Sequence, residues 1–230
     1  MLENPINTLY PINEVFQTIQ GEGIFTGVPA IFIRLQGCPV GCPWCDTQHT
    51  WEQQPNDEVA LSEVTEKTQA TPHWANATAE QLVDLLEQKG YTAKHIVITG
   101  GEPAMFDLIE LGQALEQAGY QLQIETSGTF LLKVTDATWV TVSPKLEMPG
   151  GYMVRPDCMK RADEIKYPVA MQKHIDQLDR LLASCPPREG VSIALQPISQ
   201  RPRATELAMK VCIERNWRLS VQLHKYLNIE

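Results

Sequence analysis

The chain has 230 residues, of which 43% are hydrophobic and 20% are charged, a balance typical of one globular domain. Its formal net charge of −9 argues against direct binding of nucleic acid, because phosphate backbones require a basic surface. We expect a small-molecule ligand instead. The N-terminus lacks the basic and apolar regions of a secretory signal, and no apolar run reaches the roughly 18 residues of a membrane helix. These features predict a cytoplasmic protein without membrane contact.

Predicted strands and helices alternate along the chain, which indicates βα units and a mainly parallel sheet. The predicted strands are Ala30–Gln36, Lys94–Thr99, Gln121–Thr126, Trp139–Ser143, Glu164–Val169, Ser192–Gln196 and Arg218–Leu223. The predicted helices lie near Ala79–Gln88, Leu108–Ala118, His174–Leu182 and Thr205–Arg215. Right-handed crossovers would curl such a sheet.

Several predicted strands carry polar side chains on one face. In the strand Gln121–Thr126, for example, Leu122 and Ile124 alternate with Gln123 and Glu125. A closed eight-stranded barrel fills its interior with apolar side chains. The pattern therefore favours an open, incomplete (β/α) barrel of about six strands around a polar cavity. The alternative is a sheet with one solvated face.

Residues 52–78 are polar and rich in turn-forming residues, with one short helix predicted near Leu61–Thr68. We interpret this segment as an insertion after the cysteine loop and not as a second domain. Residues 1–230 are accordingly expected to form a single domain.

Three of the six cysteines lie close together, with the spacing C-x3-C-x2-C: Cys38, Cys42 and Cys45. The others, Cys158, Cys185 and Cys212, are isolated and are expected to be ordinary buried or half-buried thiols. In a cytosolic chain a tight cluster of cysteines indicates metal binding rather than disulfides. Three thiolates can bind three irons of a [4Fe–4S] cluster and leave the fourth iron open for a reacting ligand.

Two other metal sites compete with this interpretation. The three cysteines and His49 could bind zinc, although structural zinc sites usually use paired C-x2-C units. An electron-transfer ferredoxin site would need a fourth nearby cysteine, which the segment lacks.

The segment Gly37–Thr47, GCPVGCPWCDT, resembles the signature of the radical S-adenosylmethionine (SAM) superfamily. Thr99–Pro103, TGGEP, follows a predicted strand and resembles the second hallmark of that superfamily. The resemblance implies a [4Fe–4S] cluster on Cys38, Cys42 and Cys45, with S-adenosyl-L-methionine bound to the open iron. In that superfamily an electron from the cluster cleaves SAM and yields a 5′-deoxyadenosyl radical.

Further segments resemble the 7-carboxy-7-deazaguanine synthase family of queuosine-precursor biosynthesis, in its compact form: NEVFQTIQGEG, GVPAIFIRLQ, IETSGT, VSPK, ALQPIS and WRLSVQLHKYLNI. This resemblance covers nearly the whole chain. It implies a lyase that converts 6-carboxy-5,6,7,8-tetrahydropterin to 7-carboxy-7-deazaguanine with loss of ammonia. It also implies Mg²⁺, a reducing partner such as flavodoxin or ferredoxin, and a homodimer. The alternative is a radical SAM activase that acts on a partner protein.

Residue by residue, the resemblance implies three sets of contacts. The substrate contacts are Ile19, Gln20, Gly21, Arg34 and Thr99. The SAM contacts are Trp44, Cys45, Asp46, Gly101, Ser143, Pro144, Lys145, Gln196 and Ser199. Thr47 is the Mg²⁺ contact, with Asp46 as an alternative or outer partner.

Two of these side chains, Arg34 and Lys145, have a physical rationale of their own, and so has Glu22 of the adjacent turn. Arg34 is placed to pair with the substrate carboxylate through its guanidinium fork. Lys145 follows the inward-facing Ser143, although a surface position is the alternative. Glu22 is placed to contact the amide edge of the pterin. No proton-transfer base is identified, and Glu22 and Glu125 are the candidates. In some relatives the C-terminal carboxylate contacts the substrate, and its role at Glu230 stays open.

Overall fold

The computed structural model describes residues 8–198 and 201–227. Within them one nine-stranded sheet has the order β3-β1-β2-β4-β5-β6-β7-β8-β9. The strands are β1 (Tyr10–Ile19), β2 (Pro29–Leu35), β3 (Ala75–Ala77), β4 (His95–Gly100), β5 (Gln121–Thr126), β6 (Trp139–Val142), β7 (Glu164–Val169), β8 (Ser192–Pro197) and β9 (Arg218–Leu219). From β2 through β9 neighbouring strands are parallel, whereas β1 pairs antiparallel with both β2 and β3.

In the described part of the chain seven α-helices accompany the sheet: α1 (Leu61–Val64), α2 (Ala79–Gln88), α3 (Ile109–Gln117), α4 (Pro156–Arg161), α5 (Gln172–Ser184), α6 (Pro202–Arg215) and α7 (Leu223–Leu227). The apolar stripes of the longer helices and one face of the strands form a single buried core. Ile33 and Ile98 in the strands, and Leu82 and Leu111 in the helices, are almost fully buried there. Helices therefore cover the outer face of the sheet, and its inner face is left for a site.

The inner face is polar and buried. Gln123, Thr141 and Glu164 have no exposed surface, and Lys166 is 5% exposed. The alternative of a solvated face is therefore wrong. Because β3 and β9 are the two edges of the sheet and do not pair with each other, the barrel is open and incomplete, as the alternating pattern predicts.

The predicted strands and helices are confirmed with small shifts at their ends, apart from the last strand. Only Arg218–Leu219 is extended, and residues Leu223–Leu227 form a helix instead of continuing the predicted strand to Leu223. The physical reason lies in the segment's hydrogen bonds: the Ser220 hydroxyl accepts from Gly23 N–H at 2.9 Å, and Leu223 N–H donates to Gly21 O at 2.9 Å. The segment thus turns away from the sheet to contact the β1–β2 turn.

Strands β1 and β3 and helix α4 are additional to the predicted elements. A bulge between Ile12 and Glu14 interrupts the alternation of β1. Strand β3 lies inside the polar segment 52–78 and pairs with β1, Tyr10 opposite Ala77, so this segment supplies an edge strand of the sheet. The predicted helix near Leu61–Thr68 is shorter, at Leu61–Val64. Among the described residues no helix is long and apolar enough to cross a membrane.

Candidate active site

The cysteine loop begins directly after β2 and is held by backbone hydrogen bonds to the residues that follow it. Gly37 N–H donates to Thr50 O at 2.7 Å, and Cys38 N–H donates to Trp51 O at 2.9 Å. Cys38, Cys42 and Cys45 all line one cavity of about 270 Å³. Burial raises the pKa of the Cys38 thiol to about 11 and also raises that of Cys42. Iron binding must therefore displace protons from these thiols.

The arrangement of the thiols fits a cluster better than a single ion. Within residues 8–198 and 201–227, no three His, Cys, Asp or Glu side chains converge as ligands of one metal ion. His49 lies near Glu14 and lines a different cavity from the cysteines. Zinc needs four ligands around one point, whereas a cubane takes each thiolate on a separate iron. The zinc alternative with His49 has no support in this geometry.

The glycines of the TGGEP turn bring two backbones into contact. Gly101 N–H donates to Leu35 O at 2.8 Å, and Glu102 N–H donates to Gly37 O at 2.8 Å. A Cβ atom on Gly101 would lie 2.0 Å from Gly37 O, and Gly100 has a φ of +121°. The turn therefore supports the cysteine loop directly, a role additional to the expected contact with SAM.

Most of the residues expected to contact SAM line the cysteine cavity: Trp44, Cys45, Asp46, Gly101, Ser143, Lys145 and Gln196. Pro144 is buried between its neighbours and is not part of the cavity lining, and Ser199 lies outside the described residues. Lys145 Nζ donates to Ser143 Oγ at 2.5 Å, and burial lowers its pKa. Lys145 therefore points into the cavity and is not a surface lysine.

All five residues expected to contact the substrate line a second cavity of about 230 Å³: Ile19, Gln20, Gly21, Arg34 and Thr99. Arg34 and Thr99 are neighbours in the β2–β4 register. The two cavities share Asp46 and Thr47 in their lining. The structure therefore brings the two predicted sets of contacts together on either side of the end of the cysteine loop.

Arg34 is held by residues of β1. Its Nε donates to Glu14 Oε2 at 2.8 Å, and its guanidinium carbon lies 5.8 Å from the centre of the Phe16 ring. Among the described residues Glu14 is the one hydrogen-bond partner of the Arg34 guanidinium group. The Glu14 contact uses Nε, so the Nη groups at the end of the fork are available for a bound anion.

A buried ammonium lies between two carboxylates where the cavities meet. Lys166 Nζ is 2.6 Å from Glu22 Oε2 and 2.9 Å from Glu125 Oε2. Glu22 Oε1 also accepts from the side-chain amides of Gln222 at 3.0 Å and Gln196 at 3.3 Å. Both oxygens of Glu22 are therefore occupied by donors of the protein itself.

The two carboxyl groups differ in proton affinity. Burial opposes ionisation of Glu22, but Lys166 and Gln222 outweigh it and hold the pKa of Glu22 at about 2. For Glu125 burial outweighs the attraction of Lys166, and the neighbouring Glu22 adds repulsion, so its pKa rises to about 7. Glu125 thus exchanges a proton near neutral pH, whereas Glu22 stays ionised. Lys166 stays charged, because the two carboxylates raise its pKa despite burial.

The C-terminal segment covers the junction between the cavities. Lys225 Nζ lies 3.1 Å from Asp46 Oδ2, and His224 lies against Gly21, where an added Cβ would be 2.7 Å from His224 Nδ1. The segment thereby connects the cysteine loop to the β1–β2 turn.

Lys166, Gln123 and Gln222 were missed as site residues. The sequence does carry a signal for Lys166, which alternates with Ile165 and Tyr167 in its strand, as Gln123 and Glu125 alternate with apolar residues in theirs. The partner of Lys166 is distant in sequence, with 144 positions between Glu22 and Lys166.

Comparison with known proteins agrees with this geometry. The family model of the radical SAM superfamily matches residues 32–149, a range that includes the cysteine loop and the TGGEP turn. The 7-carboxy-7-deazaguanine synthase of Escherichia coli K12 is 57% identical over 96% of this chain and 99% of its own length. That of Buchnera aphidicola is 46% identical over the same shares, and that of Aquifex aeolicus is 38% identical over 92% and 89%.

A solved structure is similarly close. The crystal structure of QueE from Escherichia coli superposes with a TM-score of 0.92 at 56% identity, covering 94% of this chain and 95% of that one. By similarity over nearly its whole length, this chain belongs to the 7-carboxy-7-deazaguanine synthase family of the radical SAM superfamily.

Proposed function

We propose that the protein converts 6-carboxy-5,6,7,8-tetrahydropterin to 7-carboxy-7-deazaguanine and ammonia. The observation that carries this proposal is the second cavity: the residues that the family uses for the substrate line it together, next to the cysteine cavity. The 57% identity to the E. coli synthase supports the same activity. The alternative, an activase of a partner protein, would need an extended docking groove in place of this lined cavity.

We assign the cluster to Cys38, Cys42 and Cys45 and SAM to the neighbouring Ser143 and Lys145, an assignment supported by the cavity that all five residues line. When bound, the cluster and SAM together supply hydrogen-atom abstraction from the substrate, and the protein supplies binding, orientation and exclusion of competing reactions. Lys145 and Ser143 are placed to bind the charged end of SAM through an ammonium and a hydroxyl.

In the substrate cavity we assign Arg34 to the substrate carboxylate. Its Nε is fixed by Glu14, so the remaining N–H groups have a defined direction, as bidentate recognition requires. Ile19, Gln20, Gly21 and Thr99 then surround the ring system. This assignment is supported by the shared cavity and the β2–β4 register.

We assign proton transfer to Glu125 rather than to Glu22. Loss of ammonia requires protons to reach the leaving nitrogen, and a carboxyl with a pKa of about 7 can both accept and donate them near neutral pH. Glu22, with a pKa of about 2 and its oxygens occupied, is assigned to holding Lys166 and the C-terminal segment. The Glu22 contact with the pterin amide edge then has to come from the backbone of the Gln20–Gly23 turn.

Mg²⁺ is proposed at Thr47, between the two cavities. Mg²⁺ takes few protein ligands and fills its shell with water and substrate oxygens, so one hydroxyl beside Asp46 suffices when the substrate carboxylate joins it. Thr47→Val should raise the Mg²⁺ concentration needed for half-maximal turnover, and Thr47→Ser should not. Equal Mg²⁺ dependence of both variants would argue against the site.

Two further proposals, a homodimer and a reductant such as flavodoxin or ferredoxin, rest on the family resemblance. The cytoplasmic location expected from the sequence is kept as a proposal. A single domain spanning residues 1–230 is supported by the sheet, whose strands run from Tyr10 to Leu219 and include β3 of the polar segment. Light scattering tests the homodimer, and assays with purified flavodoxin or ferredoxin as sole reductant test the electron donor.

The function is tested with anaerobically reconstituted protein, SAM, dithionite, Mg²⁺ and the carboxytetrahydropterin. We expect 7-carboxy-7-deazaguanine in the mass spectrum, in amounts exceeding the enzyme. SAM cleavage without that product would contradict the proposal.

A further inference from the structure

Gln123 is completely buried on the inner face of β5, and the amide of its side chain is fully hydrogen-bonded. Its Nε2 donates to Glu125 Oε1 at 3.0 Å and to Thr141 Oγ1 at 3.1 Å. Its Oε1 lies 2.8 Å from His95 Nε2 and accepts from Gln20 Nε2 at 3.4 Å. A primary amide offers two donors and two acceptor lone pairs, so every one of them is used.

The surroundings fix which way the amide points. An ionised Glu125 carboxylate only accepts hydrogen bonds, so the NH₂ group must face it and the carbonyl oxygen must face His95. His95 then carries its proton on Nε2. Burial lowers the pKa of His95, and the Phe25 ring lies 4.4 Å from its ring, so the imidazole is neutral and held in place. The amide therefore has one orientation that satisfies all its neighbours.

Gln123 also connects Glu125 to the substrate turn. Gln20, which donates to Gln123, accepts from Glu22 N–H at 3.0 Å through its own side chain. One buried amide thus contacts the turn that lines the substrate cavity and the carboxyl assigned to proton transfer.

We propose that Gln123 is a positioning residue that holds the Glu125 carboxyl in register with the Gln20–Gly23 turn for proton transfer to the bound pterin. The inference rests on the proposed function and on the role of Glu125 in it. The charged and titratable groups that act on Glu125 are Lys166, Glu22, Glu164 and Lys145. Gln123 adds a neutral donor to this set, and donation to a carboxylate favours its ionised form.

The first test compares Gln123→Met with Gln121→Met. Gln121 is exposed and lies two residues earlier on the same face of the same strand, so it controls for the substitution itself. We expect Gln123→Met to lower kcat about 10- to 100-fold, a part of what general acid–base catalysis contributes. The KM for the pterin should change less than kcat, and cluster content and SAM cleavage without substrate should stay within about twofold. The acid limb of its pH–rate profile should move to higher pH.

The second test asks whether Gln123 acts through Glu125. In a Glu125→Gln background, Gln123→Met should cost no more than about twofold in single-turnover product formation, because coupled residues are not additive. An equal cost in both backgrounds, or an unmoved pH profile, would overturn the proposal. If Gln123→Met fails to assemble a cluster, Thr141→Val takes its place. This substitution removes one acceptor of the Gln123 amide, and its cost is compared in the unmodified and Glu125→Gln backgrounds in the same way. If the unmodified protein makes no product, the proposed function itself is refuted. That result differs from an equal cost in both backgrounds and from an unmoved pH profile, which refute only the role of Gln123.

Discussion

Lys166 and Glu125 form a buried ion pair across β6, with 2.9 Å between Nζ and Oε2. Because Lys166 also contacts Glu22, one ammonium pairs with two carboxylates at the junction of the cavities. Charges buried in this way are tolerated only when they are paired. The contact between Lys166 and Glu125 therefore affects both the stability of the inner face and the proton affinity of Glu125, to which we assign proton transfer.

Replacing Lys166 by Met leaves two carboxylates buried without a counter-charge. The free energy of unfolding at pH 7 should fall by about 3–5 kcal/mol, as for other buried pairs that lose one partner. The deficit should be smaller at pH 5, since protonation of a carboxyl relieves the repulsion. Anaerobic urea unfolding measures both values. Lys160→Met on the exposed surface is the control, and equal effects of the two substitutions would contradict the buried network.

Product formation should depend on pH through Glu125. Its pKa is raised from the ordinary value to about 7, so the carboxyl is protonated below pH 7 and ionised above it. If the carboxylate accepts a proton in the slow step, kcat rises with pH through about 7. Steady-state rates between pH 5.5 and about 8.5 measure this limb. Glu125→Gln should abolish most turnover. If the residual rate of this variant still falls at low pH as in the unmodified protein, the pH dependence belongs to another group.

Arg34→Ala should separate substrate binding from SAM cleavage. Loss of hydrogen bonds to a charged group should raise the KM for the pterin about 10- to 100-fold, whereas SAM cleavage without substrate should be unaffected. Arg34→Lys keeps the charge but loses the guanidinium fork, so its KM for the pterin should lie between those of the unmodified protein and Arg34→Ala. Arg155→Lys, in an exposed pair with Asp157, is the control. Unchanged KM in Arg34→Ala would place the substrate carboxylate elsewhere.

Gly101→Ala tests the contact between the TGGEP turn and the cysteine loop. The new Cβ would lie 2.0 Å from Gly37 O, so one backbone must move. We expect iron and sulfide content after reconstitution to fall by more than half. Gly190→Ala meets no atom within 4 Å and has a φ of +78°, so it reports backbone strain alone, about 1–2 kcal/mol. Full cluster content in Gly101→Ala would show that the turn is not needed for the loop.

The sequence predicted the features that repeat locally and missed those made by distant partners. The cysteine spacing and the alternation of Gln123 and Glu125 are short-range patterns. The first indicates a cluster loop, in agreement with the family match, and the second indicates a polar inner face, which the structure confirms. Strand β1 was missed because its bulge interrupts the alternation. The last predicted strand was too long because Ser220 hydrogen-bonds to Gly23, 197 positions away.

The roles of Glu22 and Glu125 show the same limit more sharply. Both are glutamates beside polar neighbours in the sequence, and nothing local distinguishes their proton affinities. The difference arises because Gln222 and Gln196 reach Glu22 from the other end of the chain, whereas burial dominates at Glu125. The difference in pKa depends on tertiary contacts, which the spacing of residues in the sequence does not predict.

The proposed reaction releases one nitrogen for each molecule of carboxydeazaguanine formed. Carboxydeazaguanine and ammonia should therefore be quantified in the same anaerobic reaction with reconstituted protein, SAM, dithionite and Mg²⁺. We expect equal amounts of the two products, and neither product without the cluster. Cleavage of SAM to 5′-deoxyadenosine with no carboxydeazaguanine, or ammonia without carboxydeazaguanine, would contradict the proposed reaction.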